Sequence, residues 1–181
     1  TSLTAQQIII PNTTVGDGVT NGNSQQGFPW DRDTATASSN DIRIQFGYGA
    51  AEVPVPGPII ITGVEFRADD TANSWTGGTY GNCEIRMGTM SVSPANMTTS
   101  FDANYLGGVS PAPAYTGPVT LAPGTGNGTG VVGPWYININ LQSPVMYDPS
   151  AGGFMLDIAH DGTWMETGGA TSGGAFTSNY S

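Results

Sequence analysis

The chain predicts an all-β fold, a two-layer antiparallel β-sandwich of the jelly-roll kind, formed by residues 1–181 as a single domain. Three features point there. Thirteen prolines and 27 glycines are spread over the whole length, and no long stretch keeps a 3.6-residue apolar period, so long helices have no template. Several stretches instead alternate apolar and polar residues with period two, the mark of a strand with one buried face. Turn-forming residues separate those stretches.

Taken in order, Leu3 to Ile10 is expected to form a first strand, ending in the apolar run Ile8, Ile9 and Ile10. Residues 11 to 30 are rich in Gly, Pro, Thr and Asn and predict a surface loop. From Asp41 to Tyr48, Ile42, Ile44, Phe46 and Tyr48 share one side, opposite Asp41, Arg43 and Gln45. Ile59 to Ala68 opens as a continuous apolar run and then alternates, with Val64 and Phe66 inward and Glu65 and Arg67 outward. Asn82 to Met90 sets Cys83, Ile85 and Met87 against Asn82, Glu84 and Arg86.

Between Ser93 and Asn104, a serine followed by Pro94 suits the opening of one helical turn. Residues 107–117 and 122–134 predict loops, and Pro118 to Leu121 a short strand between them. Trp135, Ile137, Ile139 and Leu141 face away from Tyr136, Asn138 and Asn140, and Phe154, Leu156 and Ile158 make a further face. The stretch from Tyr147 to Gly153 is turn chemistry joining those two strands, and His160-Asp161-Gly162 predicts the turn after the second.

Charge narrows the function. Only 10% of residues are charged, against about 25% in an ordinary domain. Arg32, Arg43, Arg67 and Arg86 are the only basic side chains apart from one histidine, lysine is absent, and the formal net charge is −10. Such a chain repels a phosphate backbone and an anionic bilayer, so neither nucleic acid nor membrane insertion is expected. No apolar run reaches the roughly 18 residues of a membrane span. A chain that starts at Thr1, lacks lysine and has one cysteine suits a secreted, extracellular prokaryotic protein of the cell surface.

Several segments carry a family resemblance: Gly27-Phe28-Pro29-Trp30 before an Arg-containing polar loop, the Ile59 to Arg67 strand, Thr98 to Asn104, and Pro144 to Ser150 leading into Phe154-Met155-Leu156-Asp157. In that order they resemble exported bacterial β-sandwich proteins of the PEP-CTERM sorting-domain type. The resemblance implies export and a sandwich, and it transfers no catalytic residue. Two departures stand beside it: the chain carries no sorting tail, and a further strand of that group has no counterpart before Ser181, so it is absent or supplied by another chain.

Catalytic constellations are not expected. His160 is the only histidine and Cys83 the only cysteine, which leaves neither a nucleophile with its base nor a usual zinc set. Glu52, Glu65, Glu84 and Glu166 are carboxylates of the type that cleaves glycosides. Glu65 and Glu84, however, occupy outward strand positions near arginines, where charge pairing explains them. No cofactor is expected, with calcium the one candidate ion: Asp31 and Asp33, and Asp69, Asp70 and Asn73, are loop clusters of its ligand type, without EF-hand spacing. Trp75 and Trp30 are candidate rings for a sugar or an interface. Asn12, Asn96, Asn127 and Asn179 each begin a glycosylation sequon.

Two structural expectations follow from the strand faces. Cys83 should be a buried free thiol. The strands around Glu65 and Glu84 should be antiparallel neighbours, with Glu65 opposite Arg86, Arg67 opposite Glu84, and Val64, Phe66 and Ala68 opposite Met87, Ile85 and Cys83. The functional expectation is a non-enzymatic structural protein, a subunit of a surface fibre, sheath or layer made of copies of itself, with Ile8, Ile9 and Ile10 as a strand that can be donated. The alternative is a lectin-like adhesion module for extracellular polysaccharide.

Overall fold

The chain folds by closing a series of strand pairs around one another. The structure, a computed structural model, describes residues 6–10, 24–26, 30, 41–53, 55–67, 74–75, 77–125, 135–161, 164–166 and 178–180. Its strands in chain order are β1 (Ser24–Gln26), β2 (Ile42–Tyr48), β3 (Ile59–Arg67), β4 (Ser74–Trp75), β5 (Gly78–Thr89), β6 (Tyr115–Leu121), β7 (Gly124–Thr125), β8 (Trp135–Tyr147), β9 (Phe154–His160), β10 (Trp164–Glu166) and β11 (Ser178–Tyr180). The described helical segments are single 3-10 turns, at Ala50–Glu52, Pro94–Asn96 and Asp102–Asn104.

Every pairing is antiparallel, and the pairs are nested: β1 with β11, β2 with β9, β3 with β8, β4 with β7 and β5 with β6. That is the pattern of one long antiparallel hairpin rolled up on itself, the jelly roll. Rolling brings β9 and β10 against the free side of β5, so one sheet runs β2, β9, β5, β6, with β10 continuing the line of β9. In the opposing layer β3 and β8 pair, and β11 lies beside β3.

The inward faces meet in one core. Cys83, Ile85 and Met87 of β5, Phe154, Leu156 and Ile158 of β9, and Val119 and Leu121 of β6 pack against Phe66 of β3 and Ile137, Ile139 and Tyr147 of β8. The period-two faces read from the sequence are these faces. The apolar run opening β3 alternates too, with Ile59 and Ile61 packed on the core and Ile60 exposed, and an irregularity follows it. Ile61 pairs with Val145 but Gly63 with Asn140, so β8 bulges outward between them. The bulge sends the backbone N–H groups of Gln142 and Ser143 to the carbonyl of Ala114, at 2.8 and 3.0 Å. The Gln142 side chain then clasps the backbone of Thr116, accepting from its N–H at 3.1 Å and donating to its carbonyl at 2.8 Å. Thus β8 is stitched to β6, and the two layers are joined along that edge.

The expected pairing of the Glu65 and Glu84 strands does not occur, because the roll places β3 and β5 in different layers. Glu65 lies opposite Asn138, and Glu84 lies between Ala159 and Thr116. Val64 and Phe66 do share the core with Cys83, Ile85 and Met87, across the layers rather than along one sheet, while Ala68 lies outside the described residues. Charge pairing is met locally instead: Arg86 donates to Glu84, two residues away on the same strand, at 2.6 Å. Arg67 lies over the Trp135 ring, 5.3 Å from its centroid.

The N-terminal expectation is also corrected. Residues 6–10 are not in a strand. Ile10 packs against the core and Gln7 donates to Glu65 at 2.5 Å, which draws this segment onto its own fold. Leu3 to Ala5 lie outside the described residues. The expected loops hold short strands as well: β1 falls within 11–30, β6 starts inside 107–117, and β7 lies within 122–134.

At one end, β4 and β7 extend the β5–β6 pair beyond Gly77. A Cβ at Gly77 would lie 2.5 Å from Pro123 Cδ and 2.9 Å from the Leu121 carbonyl oxygen, so the two chains can cross there only with glycine. Gly77→Ala should therefore lower stability by about 1–3 kcal/mol. Denaturant unfolding measures this, and an unchanged midpoint would show that the crossing can open without cost.

Candidate functional site

The outer face of the main sheet is not left to solvent. Residues 90–114, which link β5 to β6, run across it as a strap. Met90, Met97 and Tyr105 of the strap pack on Met155 of β9, forming a second, smaller core. As a result β9 is buried on both faces, and its outward residues, Met155 and Asp157, are both 0% exposed. The sequence carried a sign of this: from Phe154 to Ala159 the strand is apolar throughout except for Asp157, as strands covered on both sides are.

Asp157 is the centre of the cluster. Arg43, on the neighbouring β2, donates Nε to Oδ1 at 3.0 Å and to Oδ2 at 3.2 Å, and Nη2 to Oδ2 at 2.7 Å. Gln45 Nε2 adds a bond to Oδ2 at 2.9 Å, and the Tyr105 hydroxyl another at 3.2 Å. The register makes this convergence unavoidable: Gln45 and Arg86 are the direct cross-strand partners of Asp157 on its two sides.

From this centre the network reaches into the strap. Arg43 Nη2 donates to Ser110 Oγ at 2.8 Å, and its guanidinium lies 4.5 Å from the centre of the Phe101 ring. The Ser110 hydroxyl and backbone N–H both go to Asp102, holding that carboxyl below its ordinary range. Gln45 also donates to the Phe101 carbonyl at 3.0 Å and accepts from Asn104 Nδ2 at 2.9 Å. Asn104, itself buried, closes the turn by accepting from the Thr98 N–H at 2.9 Å.

The hydrogen bond to Asp157 pushes the Arg43 guanidinium above its already high value. Burial pushes the Tyr105 phenol up, and the adjacent Asp157 charge pushes it further. Chemically the cluster is turned inward: both oxygens of Asp157 accept from donors of this same chain, and the carboxylate is buried beneath the strap. What the arrangement does is clamp the strap to the sheet.

The other expected site residues fall elsewhere. Asp31, Asp33, Asp69, Asp70 and Asn73 lie outside the described residues, as do Asn12 and Asn127. Among the described residues no three His, Cys, Asp or Glu side chains gather as a metal site. Trp30 is 1% exposed, packed edge-on to Phe66 at 5.1 Å and against Tyr80 at 5.7 Å, so its ring presents no face for a sugar to stack on. His160 is buried beside Tyr80, with ring centres 4.6 Å apart. Glu52 closes its own 3-10 turn by accepting from the Gly49 N–H at 2.5 Å.

Trp75 is on the β4–β7 arm, its backbone paired with Gly124, and Asn179 is on β11. Asn96 is exposed in the strap. Cys83 is a free, fully buried thiol on the inner face of β5, as its neighbours Ile85 and Met87 implied. No helix among the described residues is long and apolar enough to cross a membrane.

No family model, no curated protein and no solved structure matches this chain.

Two measurements follow. Asp157→Asn removes the counter-charge of Arg43, and should cost about 2–4 kcal/mol. It should also open the segment 91–113 to protease before the sheets unfold. A stable variant with an intact strap would show that the network only decorates the surface. Burial pushes the Cys83 thiol up to about 12, so a bulky maleimide at pH 8 should leave it unlabelled in the native protein and label it fully in denaturant.

Proposed function

We propose that this chain is a non-catalytic extracellular structural protein, a subunit that assembles with copies of itself into a fibre, sheath or layer at a prokaryotic cell surface. The observation that carries this reading is the edge of the main sheet. Among the described residues, β2 (Ile42–Tyr48) is paired with β9 alone and stands last in the order of the main sheet. Soluble sandwiches commonly guard such an edge with lysine or with a charge set along it. This chain has no lysine, and the one cation of β2, Arg43, is drawn onto Asp157 rather than left at the rim.

The closed polar cluster supports the same reading. The convergent charged and amide side chains of the described fold are occupied in holding the strap, so the chemistry that a catalyst would need is committed to structure. The resemblance to exported bacterial sandwich proteins agrees with a place outside the cell.

A second reading keeps a specific support. Trp75 sits on an arm that extends the β5–β6 pair past the Gly77 crossing, a position suited to meeting an extracellular polysaccharide. The two readings separate cleanly. Assembly predicts ordered polymers in electron micrographs and light scattering that grows with protein concentration. Monomers at every concentration, together with glycan-array binding lost on Trp75→Ala, would overturn the structural reading in favour of the adhesion module.

A further inference from the structure

The small core beneath the strap is built on sulfur. Its members are Met90, Met97 and Tyr105 of the strap and Met155 of β9. The sheet makes room for them with glycine, because the register sets Gly47 of β2 and Gly88 of β5 on the two sides of Met155. A Cβ at Gly47 would lie 2.6 Å from both Met97 Sδ and Met90 Cε, and one at Gly88 would lie 3.2 Å from the Tyr105 ring. The thioether of Met97 is therefore pressed against bare backbone.

The three methionines differ in their access to solvent. Met155 is 0% and Met90 3% exposed, whereas Met97 is half-buried between the exposed Asn96 and Thr98. Met97 also adjoins the polar network. The Thr98 N–H goes to Asn104 Oδ1 and Asn104 Nδ2 to the Thr98 carbonyl, both at 2.9 Å, and Asn104 Nδ2 donates as well to Gln45 of β2.

We propose that Met97 is a redox-sensitive latch: hydrogen peroxide converts it to the sulfoxide, and the strap then lifts from the sheet between Ser91 and Asn104. In that step the Met97 sulfur is oxidised and gains an S–O bond, while the O–O bond of the peroxide breaks and its second oxygen leaves as water. The product is polar where the thioether was apolar, and its oxygen requires a hydrogen-bond donor. The donors beside it, the Thr98 N–H and Asn104 Nδ2, are already engaged. Water supplies a donor once the residue turns outward, and turning outward draws Thr98 off Asn104. Met90 and Met155 are uncovered next, so oxidation runs from the rim of the small core to its centre. Methionine sulfoxide reductases reverse the step, the oxygen leaving as water while two thiols close to a disulfide. The latch is independent of whether copies of the chain assemble.

The test exposes the full chain to dilute hydrogen peroxide and follows each methionine by peptide mass spectrometry, with a broad-specificity protease reporting on the strap. Met146, 77% exposed on β8, should oxidise first and leave the strap closed. Met97 should follow, and with it cleavage between Ser91 and Asn104 should rise by roughly tenfold to a hundredfold, before sulfoxide forms at Met90 or Met155. Reductases for both sulfoxide epimers should restore resistance. Met97→Leu, which keeps an apolar plug of similar volume, should be as resistant after peroxide as before it. Cleavage that stays constant once Met97 is oxidised would overturn the proposal. So would a Met97→Leu chain that opens under peroxide as readily as the wild type, or a Met97 that resists peroxide as long as Met155. Should leucine fail to fit over Gly47, the wild-type time course and its reversal by the reductases decide alone.

Discussion

A carboxylate buried in the middle strand of a sheet has to be answered by donors, and Asp157 is answered from both adjacent structures at once. Arg43 and Gln45 come from the neighbouring strand, and Tyr105 from the strap above. An isolated charge in that position would cost several kcal/mol. Its presence therefore dictates much around it. β2 must lie next to β9 in the observed register, or Arg43 and Gln45 face the wrong way. The strap must lie across the sheet, or the carboxylate meets water on one side and Met155 loses its cover. With so few charges in the chain, placing two of the four arginines beside this aspartate is a large commitment to one internal feature.

The layers differ in how they are held. The main sheet is clamped from outside by the strap, through polar bonds with a small apolar core beneath them. The other layer is held at its edge, where the β8 bulge gives backbone donors to Ala114 and the Gln142 amide takes the place of a strand pairing at Thr116. Ala114 is the joint of the arrangement, since its N–H goes to Ile85 of β5 while its carbonyl receives the bulge. Hydrogen bonding thus runs from β9 through β5 to β8 without a break, although the strands belong to two layers.

Side-chain faces were legible in the sequence because period two depends on neighbours a few residues apart. Phe154, Leu156 and Ile158, or Cys83, Ile85 and Met87, announce a buried side wherever the strand is placed. Partnership is a different kind of information. Glu65, Arg67, Glu84 and Arg86 offered a consistent cross-strand pattern, yet Glu84 and Arg86 satisfy each other along one strand, and the topology separates them from Glu65. Asp157 cannot be singled out from sequence alone, because its burial depends on the strap, loop-like in sequence, that covers the outer face of β9. Trp30, set in a Gly- and Pro-rich stretch, read as a loop ring but supplies the aromatic end of the core with Phe66 and Tyr80. Among the described residues its indole N–H meets no acceptor, a loss of about 1–3 kcal/mol that burial of so large a ring offsets.

Nested pairing also sets the order in which the chain can organise itself. β5 and β6 are consecutive strands and the innermost pair, whereas Ile42 has to find His160 and Ser24 has to find Tyr180. Closing such loops carries an entropic cost that rises with their length, and folds dominated by distant contacts are slow to form. β2 is made early and has no partner until β9 emerges, so during synthesis its apolar face waits unpaired. A chain built this way can complete its outer pairs only after β9 and β11 have been made, so its leading half cannot finish folding before its trailing half arrives.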